Sequence, residues 1–188
     1  MKINSVKFLK GIVEDDAILT DGVPQVAFIG RSNVGKSSLI NALTHSTVSR
    51  TSSLPGSTQE INIFLVNSNL YFVDLPGYGY AQASGRGKEK IYDLIDSYLF
   101  NTNFDQKKVV FIVDASVGMT DKDIAMYQEL VNQHKDFVIA LSKIDKLNQS
   151  QYHNSIKEIK KTVGEHKLLP FSSKEKKGLK EIINEVLG

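Results

Sequence analysis

The sequence contains no cysteine among its 188 residues. This absence excludes disulfide bonds, thiolate metal sites and cysteine nucleophiles, and it is consistent with a reducing compartment. The sequence also lacks any apolar run near the roughly 20 residues that a membrane-spanning helix needs. Its first residues, MKINSVKFLKG, contain no apolar block of the kind found in signal peptides. We therefore expect a soluble protein of the cytoplasm.

The sequence has little net charge, but that charge is unevenly distributed. The formal net charge is only +2. Residues 143–188 carry ten Lys and six Asp or Glu, a net of +4, whereas residues 1–142 carry 13 Lys or Arg and 15 Asp or Glu, a net of −2. The basic C-terminal region could bind an acidic partner such as RNA. Charge alone favours the simpler interpretation of two solvated helix faces.

Short apolar runs alternate with segments of helical periodicity, and the chain shows neither an internal repeat nor a domain linker. The predicted strands are 25–30, 61–66, 70–74, 108–114, 137–142 and 167–171. The predicted buried helix faces are Ile91, Leu94, Ile95, Tyr98 and Leu99; Ile124, Tyr127, Leu130 and Val131; Tyr152, Ile156, Ile159 and Val163; and Leu179, Ile182, Ile183 and Val186.

This alternation predicts an α/β fold with a mostly parallel six-stranded sheet and helices on both faces. The runs 61–66 and 70–74, joined by Asn-Ser-Asn, are typical of a hairpin, which adds one antiparallel edge strand. We expect a single domain over residues 1–188, with a short arm or strand at residues 1–13.

The first strand ends in GRSNVGKS, Gly30 to Ser37, at the sheet edge where ligands of such folds bind. In this GxxxxGKS pattern the backbone curls at Gly30 and Gly35, so that its N–H groups form a nest for phosphate. Lys36 would reach the β- and γ-phosphates, and the Ser37 hydroxyl would ligate Mg²⁺. The alternative of a glycine-rich turn without a ligand is disfavoured, because the loop follows a strand and opens a helix.

A lone carboxylate, Asp74, ends another apolar run and begins DLPG, which matches the DxxG pattern of phosphate-loop switches. Such a carboxylate would hold Mg²⁺ through a water, and the Gly77 N–H would meet the γ-phosphate. The loose turn would then move when that phosphate leaves. Taken alone, Asp74 would more simply cap a turn, but the phosphate loop favours the metal site.

Two further strand ends carry residues suited to a guanine base. The SKID segment, Ser142 to Asp145, resembles the NKxD motif. The Asp145 carboxylate can accept from guanine N1–H and the 2-amino group, which adenine lacks, so it would select GTP over ATP. Lys143 would lay its stem beside the base. The later PFSSK loop, residues 170–174, resembles a loop whose backbone and serine touch guanine O6.

The polar segment between Thr44 and Gln59 is longer than an ordinary connection, which favours a functional loop. Thr58 lies just before the hairpin, where its hydroxyl would complete the Mg²⁺ shell and its N–H would touch the γ-phosphate. Thr47 and Thr51 are alternatives for the same role.

Together, GRSNVGKSSLINAL, PGSTQEIN, DLPGYGYA and SKID resemble the EngB (YihA/YsxC) family of bacterial GTPases, over roughly residues 26–171 and the final helix. The resemblance implies a Ras-like fold and GTP hydrolysis with Mg²⁺. It also implies a role in assembly of the large ribosomal subunit and, in many bacteria, in normal cell division. Two motifs depart from the family pattern. In the first, Ser142 and Ile144 replace the Thr and the small residue of TKxD. In the second, DAS, residues 114–116, replaces DxR, so a contact there would be absent.

The motifs and the resemblance define the predicted site. Catalytic roles fall to Lys36, Thr58 and Gly77, and metal ligation to Ser37, Thr58 and, through water, Asp74. The predicted GTP-binding residues are Gly30, Arg31, Ser32, Asn33, Val34, Gly35, Lys36, Ser37, Gly56, Ser57, Thr58, Gln59, Glu60, Asp74, Leu75, Pro76, Gly77, Ser142, Lys143, Ile144, Asp145, Phe171, Ser172 and Ser173.

Tyr78 occupies the position at which Ras-like enzymes carry the glutamine that orients the attacking water. A phenol cannot both accept from and donate to that water as an amide does, so we expect slow intrinsic hydrolysis. A partner could supply positive charge in trans, and K⁺ could bind near Asn33; Arg31 and Arg86 are weaker candidates in cis. Tyr78 and Tyr80 are otherwise either turn aromatics or platforms for RNA bases.

We therefore expect a monomeric GTP-dependent switch that acts on the precursor of the large ribosomal subunit, its rRNA and its proteins. One alternative is a GTP-dependent binding module of a cell-division or other pathway, with incidental hydrolysis. A third possibility is an ATPase that uses the same loop.

Overall fold

The protein has one twisted sheet whose strands alternate with helices. The structure, a computed structural model, describes residues 2–49, 60–79, 85–100, 104 and 106–188. In these residues the strands are β1 (Val6–Ile12), β2 (Gln25–Gly30), β3 (Ile61–Val66), β4 (Leu70–Asp74), β5 (Gln106–Asp114), β6 (Phe137–Ser142) and β7 (Leu168–Pro170). The helices are α1 (Lys36–Thr44), α2 (Gly85–Phe100), α3 (Asp121–Asn132), α4 (Gln149–Val163) and α5 (Leu179–Leu187), with short 3₁₀ turns at Ala17–Thr20 and Ile144–Lys146.

The sheet has the strand order β1-β3-β4-β2-β5-β6-β7. Strand β2 pairs in parallel with β4 and β5, and β5, β6 and β7 continue the parallel half. The hairpin of β3 and β4 is antiparallel, as predicted. All six residues of β2 are buried, which is expected for a central parallel strand covered on both faces.

The described part of the sheet has seven strands rather than the six predicted, because the N-terminal segment adds β1 antiparallel to β3. Its sequence signal is weak, since three of the seven residues of this edge strand are exposed; Phe8, for example, is 45% exposed. The hairpin turn holds the segment in place. Asn67 there has a left-handed φ of +50°. Its side chain accepts from the N–H groups of Asn4 and Ser5 and donates to the Lys2 carbonyl.

Two apolar clusters lie on opposite faces of the sheet, because successive strand residues point to opposite sides. One face of β2 packs with α2, α3 and α4, and the other packs with α1 and α5. The predicted helix faces are mostly buried or half-buried, but the prediction for Val131 is wrong, since that side chain is 39% exposed. Because β2, β4, β5 and β6 pair in parallel, their carboxyl ends meet at one edge of the sheet, where the predicted motifs lie.

Candidate functional site

The loop from β2 to α1 has the curled backbone that the GxxxxGKS pattern predicts. Gly35 has a φ of +108° and Asn33 a φ of +63°, so the chain enters the left-handed region twice before α1 begins. Gly30 is required for a different reason: a Cβ there would lie 2.5 Å from the Ile112 carbonyl oxygen of β5. This loop, Gly30 to Ser37, is called the phosphate loop below. Its shape and its place before a helix N-terminus suit it to an anion.

Lys36 of this loop and Asp74 at the end of β4 are both buried, with exposures of 8% and 1%. Burial lowers the pKa of Lys36, and the nearby Asp74 charge opposes that shift. Burial likewise raises the pKa of Asp74, opposed by Lys36 and by hydrogen bonds from Ser49 and Ser37. Two buried charges are costly unless they are paired or complete a ligand site. The pair is therefore poised to gain from an anionic ligand and a cation.

The two oxygens of Asp74 differ in their partners. Oδ2 accepts hydrogen bonds from the hydroxyls of Ser37, at 3.2 Å, and Ser49, at 3.1 Å. Oδ1 is buried and has no hydrogen-bond partner within the described ranges. An orphaned carboxylate oxygen beside a serine hydroxyl fits a Mg²⁺ held through water. Those ranges hold no group of three acidic or histidine side chains arranged to bind a metal ion, but Mg²⁺ usually takes only one or two carboxylates and completes its shell with water and phosphate.

Ser49 was not found by sequence reasoning. It lies in a polar stretch in which many serines and threonines look alike, so no local signal marks it. In the structure, Ser49 is held by Asn41 of α1. The Asn41 side chain accepts from the Ser49 N–H at 2.8 Å and donates to the Ser49 carbonyl at 2.7 Å. This pair of bonds brings the Ser49 hydroxyl to Asp74.

The DxxG segment after β4 lies directly on the phosphate loop. The Ser32 N–H donates to the Tyr78 carbonyl and the Ser32 hydroxyl to the Gly77 carbonyl, both at 3.0 Å. A Cβ on Gly77 would lie 2.8 Å from Ser32 backbone atoms, so only glycine fits. Leu75 and Pro76 are buried behind it. The glycine requirement at residue 77 thus reflects close contact with the phosphate loop in this conformation.

The Tyr78 side chain points into the protein rather than towards solvent. It is 1% exposed, and its hydroxyl donates to the buried Asp123 carboxylate at 2.8 Å. Burial and the adjacent Asp123 raise the pKa of this phenol. The idea that Tyr78 stacks on RNA bases is wrong for this conformation, because a stacking ring must be accessible. Tyr80 lies outside the described residues.

Residues at the end of β6 and in the following turn connect the SKID segment, predicted to bind the base, to the phosphate loop. The Ser142 hydroxyl donates to the Val34 carbonyl at 2.6 Å. Lys143, with a left-handed φ of +60°, donates to the Asn33 carbonyl at 2.7 Å and to Asp114 at 2.6 Å. Burial opposes ionisation of Asp114, but hydrogen bonds from Lys143 and Ser116 lower its pKa below the usual value. In the DAS segment, Ser116 therefore donates its hydrogen bonds to Asp114 of the same segment.

The loop after β7 meets the SKID segment. The fully buried Ser172 donates its hydroxyl to Asp145 Oδ1 at 2.6 Å. The Ile144 N–H is 3.5 Å from the carbonyl oxygen of Phe171, a long contact. The Ser173 hydroxyl is buried without a partner in the part of the chain that the structure describes. The hydrogen bond from Ser172 orients the Asp145 carboxylate at the edge of the site.

Some predicted site residues are not brought together. Gly56, Ser57, Thr58 and Gln59, together with the alternative Thr51, lie outside the described residues; the other alternative, Thr47, is exposed. Glu60 lies against Gly11 of the edge strand β1, two strands away from β4, which carries Asp74. Of the two arginines that were candidates for supplying positive charge in cis, Arg31 pairs with Asp123 and Arg86 belongs to α2.

Comparison with known proteins shows the family to which the chain belongs. A family model described as "50S ribosome-binding GTPase" matches residues 25–143. The "Probable GTP-binding protein EngB" of Clostridium perfringens (strain 13 / Type A) is 42% identical over 188 residues, which cover 98% of this chain and 95% of the relative. The chain belongs to the EngB family. The EngB protein of Petrotoga mobilis is 39% identical over all of this chain and 98% of its own length.

Solved structures confirm the Ras-like GTPase fold for this EngB family member. The crystal structure of a probable GTP-binding protein engB has a TM-score of 0.73 and 25% identity, and it covers 87% of this chain and 96% of its own. A variant of Aquifex aeolicus Era bound to GDP.AlF4- has a TM-score of 0.72 and 26% identity, but this chain spans only 55% of that Era chain. NFeoB from S. thermophilus, at 23% identity and a TM-score of 0.64, shares the fold. This EngB family member is a GTPase.

Within the residues that the structure describes, no helix combines the length and apolarity needed to cross a bilayer.

Proposed function

We propose that GTP and GDP bind at the edge where β2, β4 and β6 end, with the phosphates on the phosphate loop and the base at Asp145. The observation that carries this proposal is the group of buried Lys36, buried Asp74 and half-buried Ser37, which includes one carboxylate oxygen without a protein partner in the described residues. Lys36 neutralises the β- and γ-phosphates. Bound Mg²⁺ would supply further positive charge, held by Ser37, Thr58 and, through water, Asp74.

We propose that Gly77 positions the terminal phosphate through its N–H, so that Lys36, Thr58 and Gly77 carry catalysis. The other predicted contacts, including the backbone of Gly56 to Glu60, stand as parts of the same proposal. Intrinsic hydrolysis is slow, because the side chain after Gly77 is engaged by Asp123 and cannot orient water. Acceleration comes from a partner or from K⁺ near Asn33. A GTPase of this fold, NFeoB from S. thermophilus, has been solved bound to GDP.AlF4- and K⁺.

We propose that the protein works in the cytoplasm as a switch in assembly of the large ribosomal subunit, and through it in normal cell division. The matching family is described as 50S ribosome-binding, and the related fold of Era has been solved with nucleotides of 16S ribosomal RNA. The net +4 of residues 143–188 suits a phosphate-rich partner.

The test is co-sedimentation of the protein with large-subunit particles in the presence of GDP or a non-hydrolysable GTP analogue. We expect binding with the GTP analogue and little with GDP. Competition by unlabelled ATP serves as the control for the nucleotide. Particles that form normally after depletion, together with GTP-loaded protein that ignores them, would contradict the assembly role.

A further inference from the structure

Asp123 is a buried carboxylate outside all the nucleotide motifs. It is the third residue of α3 and is fully buried. Its Oδ2 accepts from the N–H of Thr120 at 2.9 Å and from the Thr120 hydroxyl at 2.8 Å, which caps the helix. Capping by itself requires no other partner. Two further groups nevertheless converge on the same carboxylate.

These two groups come from the two loops that surround the proposed phosphate position. From the DxxG segment, the Tyr78 hydroxyl donates to Asp123 Oδ1 at 2.8 Å. From the phosphate loop, Arg31 Nε lies 2.9 Å from Oδ2. The Arg31 N–H is not aligned for a hydrogen bond, so this contact is an ion pair. One carboxylate on α3 thus contacts both loops.

The loops also contact each other directly beside this carboxylate. Ser32 donates to the carbonyls of Gly77 and Tyr78. The backbone of Ser32 lies so close to Gly77 that a Cβ on residue 77 would not fit. Lys122, next to Asp123, reaches the Gly79 carbonyl at 3.4 Å. The position of the Gly77 N–H therefore depends on the residue that follows it, and that residue is held by Asp123.

We propose that Asp123 is a positioning residue for GTP: by holding Arg31 and Tyr78 it fixes the DxxG segment against the phosphate loop, where the Gly77 N–H meets the terminal phosphate. This inference rests on the Gly77 contact proposed above. Asp123 acts only through its neighbours. Since GDP lacks the terminal phosphate, loss of this anchor weakens the binding of GTP and spares that of GDP.

The experiment measures dissociation constants for GDP and a non-hydrolysable GTP analogue in the wild type, Tyr78→Phe and Asp123→Asn. Tyr78→Phe removes one hydroxyl and keeps the buried ring, so it remains informative where Asp123→Asn does not fold. We expect the affinity for the GTP analogue to fall by a factor of about 5 or more, the range of an ordinary coupling between sites. The affinity for GDP should stay within about twofold.

The matched control is Tyr98→Phe. Tyr98 is also 1% exposed and donates its hydroxyl at 2.9 Å, but to Gln25, which begins β2 at the opposite end of the sheet. The Tyr98→Phe variant should lower the melting temperature as Tyr78→Phe does, without changing the ratio of the affinities for the GTP analogue and GDP. A merely structural role for Asp123 predicts the same unchanged ratio for both tyrosine variants.

Gly77→Ala separates the role of Asp123 from that of Gly77 itself. If Gly77→Ala lowers the affinity for the GTP analogue while Tyr78→Phe and Asp123→Asn leave the ratio unchanged, the Gly77 contact stands and Asp123 is only a helix cap. If Gly77→Ala also leaves the ratio unchanged, the Gly77 contact is wrong, and the role of Asp123 falls with it.

Discussion

At the scale of single residues, the carboxylate proposed to read the base is oriented by a serine from another loop. Asp145 follows β6 and Ser172 follows β7, yet the Ser172 hydroxyl donates to Asp145 Oδ1 at 2.6 Å. A buried hydroxyl bonded in this way restricts the carboxylate to one orientation before a ligand arrives. Preorganisation of this kind lowers the cost of binding, because fewer side-chain conformations have to be given up.

Asp145→Asn should change the preferred base. An amide cannot accept from both N1–H and the 2-amino group of guanine, but it can accept from N1–H of xanthine and donate to its O2. We expect the affinity for GDP to fall at least about 100-fold and that for the xanthine nucleotide to rise, measured by fluorescence titration.

Ser172→Ala is the matched control, because it removes the orienting hydroxyl and leaves the carboxylate. It should weaken GDP about fivefold, the value of one hydrogen bond, without admitting xanthine. Tight ATP binding by the wild-type protein would contradict the proposed role of Asp145.

At the scale of elements, the phosphate loop is held from outside by the strand ends around it. The Asn33 and Val34 carbonyls accept from Lys143 and Ser142 after β6. The Asn33 backbone is left-handed, which asparagine tolerates better than most residues, and its side chain is exposed. Its amide oxygen can therefore meet a cation without moving the loop.

Asn33→Gly tests the proposed K⁺ site, because glycine keeps a φ of +63° without strain and lacks the amide. We expect hydrolysis by the wild type to be at least about tenfold faster in K⁺ than in Na⁺, which corresponds to about 1.4 kcal/mol of barrier. The glycine variant should be equally slow in both salts. Equal wild-type rates in K⁺ and Na⁺ would remove the cation site, and a fast partner-free rate in Na⁺ would point to a different catalytic group.

At the scale of the whole molecule, positive charge is concentrated in the last quarter of the chain. Residues 143–188 have a net charge of +4 against −2 for the rest. Three of these lysines, Lys157, Lys160 and Lys161, are exposed on α4. Lys161 also pairs with Glu158, but a surface pair of this kind is weak.

Replacing Lys157, Lys160 and Lys161 with Gln should weaken binding to large-subunit particles and lower its dependence on salt. Removing one lysine–phosphate interaction reduces the slope of log affinity against log salt by about one, so the largest expected change is about three. The measurement is co-sedimentation across a salt series. The matched variant replaces three exposed lysines elsewhere, Lys2, Lys7 and Lys90. Equal weakening in the two variants would argue against a basic docking face on α4.

The alternation of apolar runs and the order of the motifs determined the fold class and most strand positions from sequence alone. Buried parallel strands leave continuous apolar runs, and a phosphate loop needs glycine, lysine and serine in a fixed local order, so both signals are contiguous. The edge strand β1 was harder to assign, because a half-exposed strand has no strong pattern and is held by Asn67 in a distant turn.

Only the tertiary structure decided which polar residues converge around that loop. Ser49 reaches Asp74 because Asn41 holds it, and Asp123 reaches Arg31 and Tyr78 because α3 begins beside both loops. Neither arrangement has a local sequence signal, since serines in loops and acids in first helical turns are common. Tyr78 shows the same limit: its position in the chain indicated that it replaces a catalytic glutamine, but only its burial against Asp123 showed where its hydroxyl points, because a side chain's direction is set by packing between distant segments.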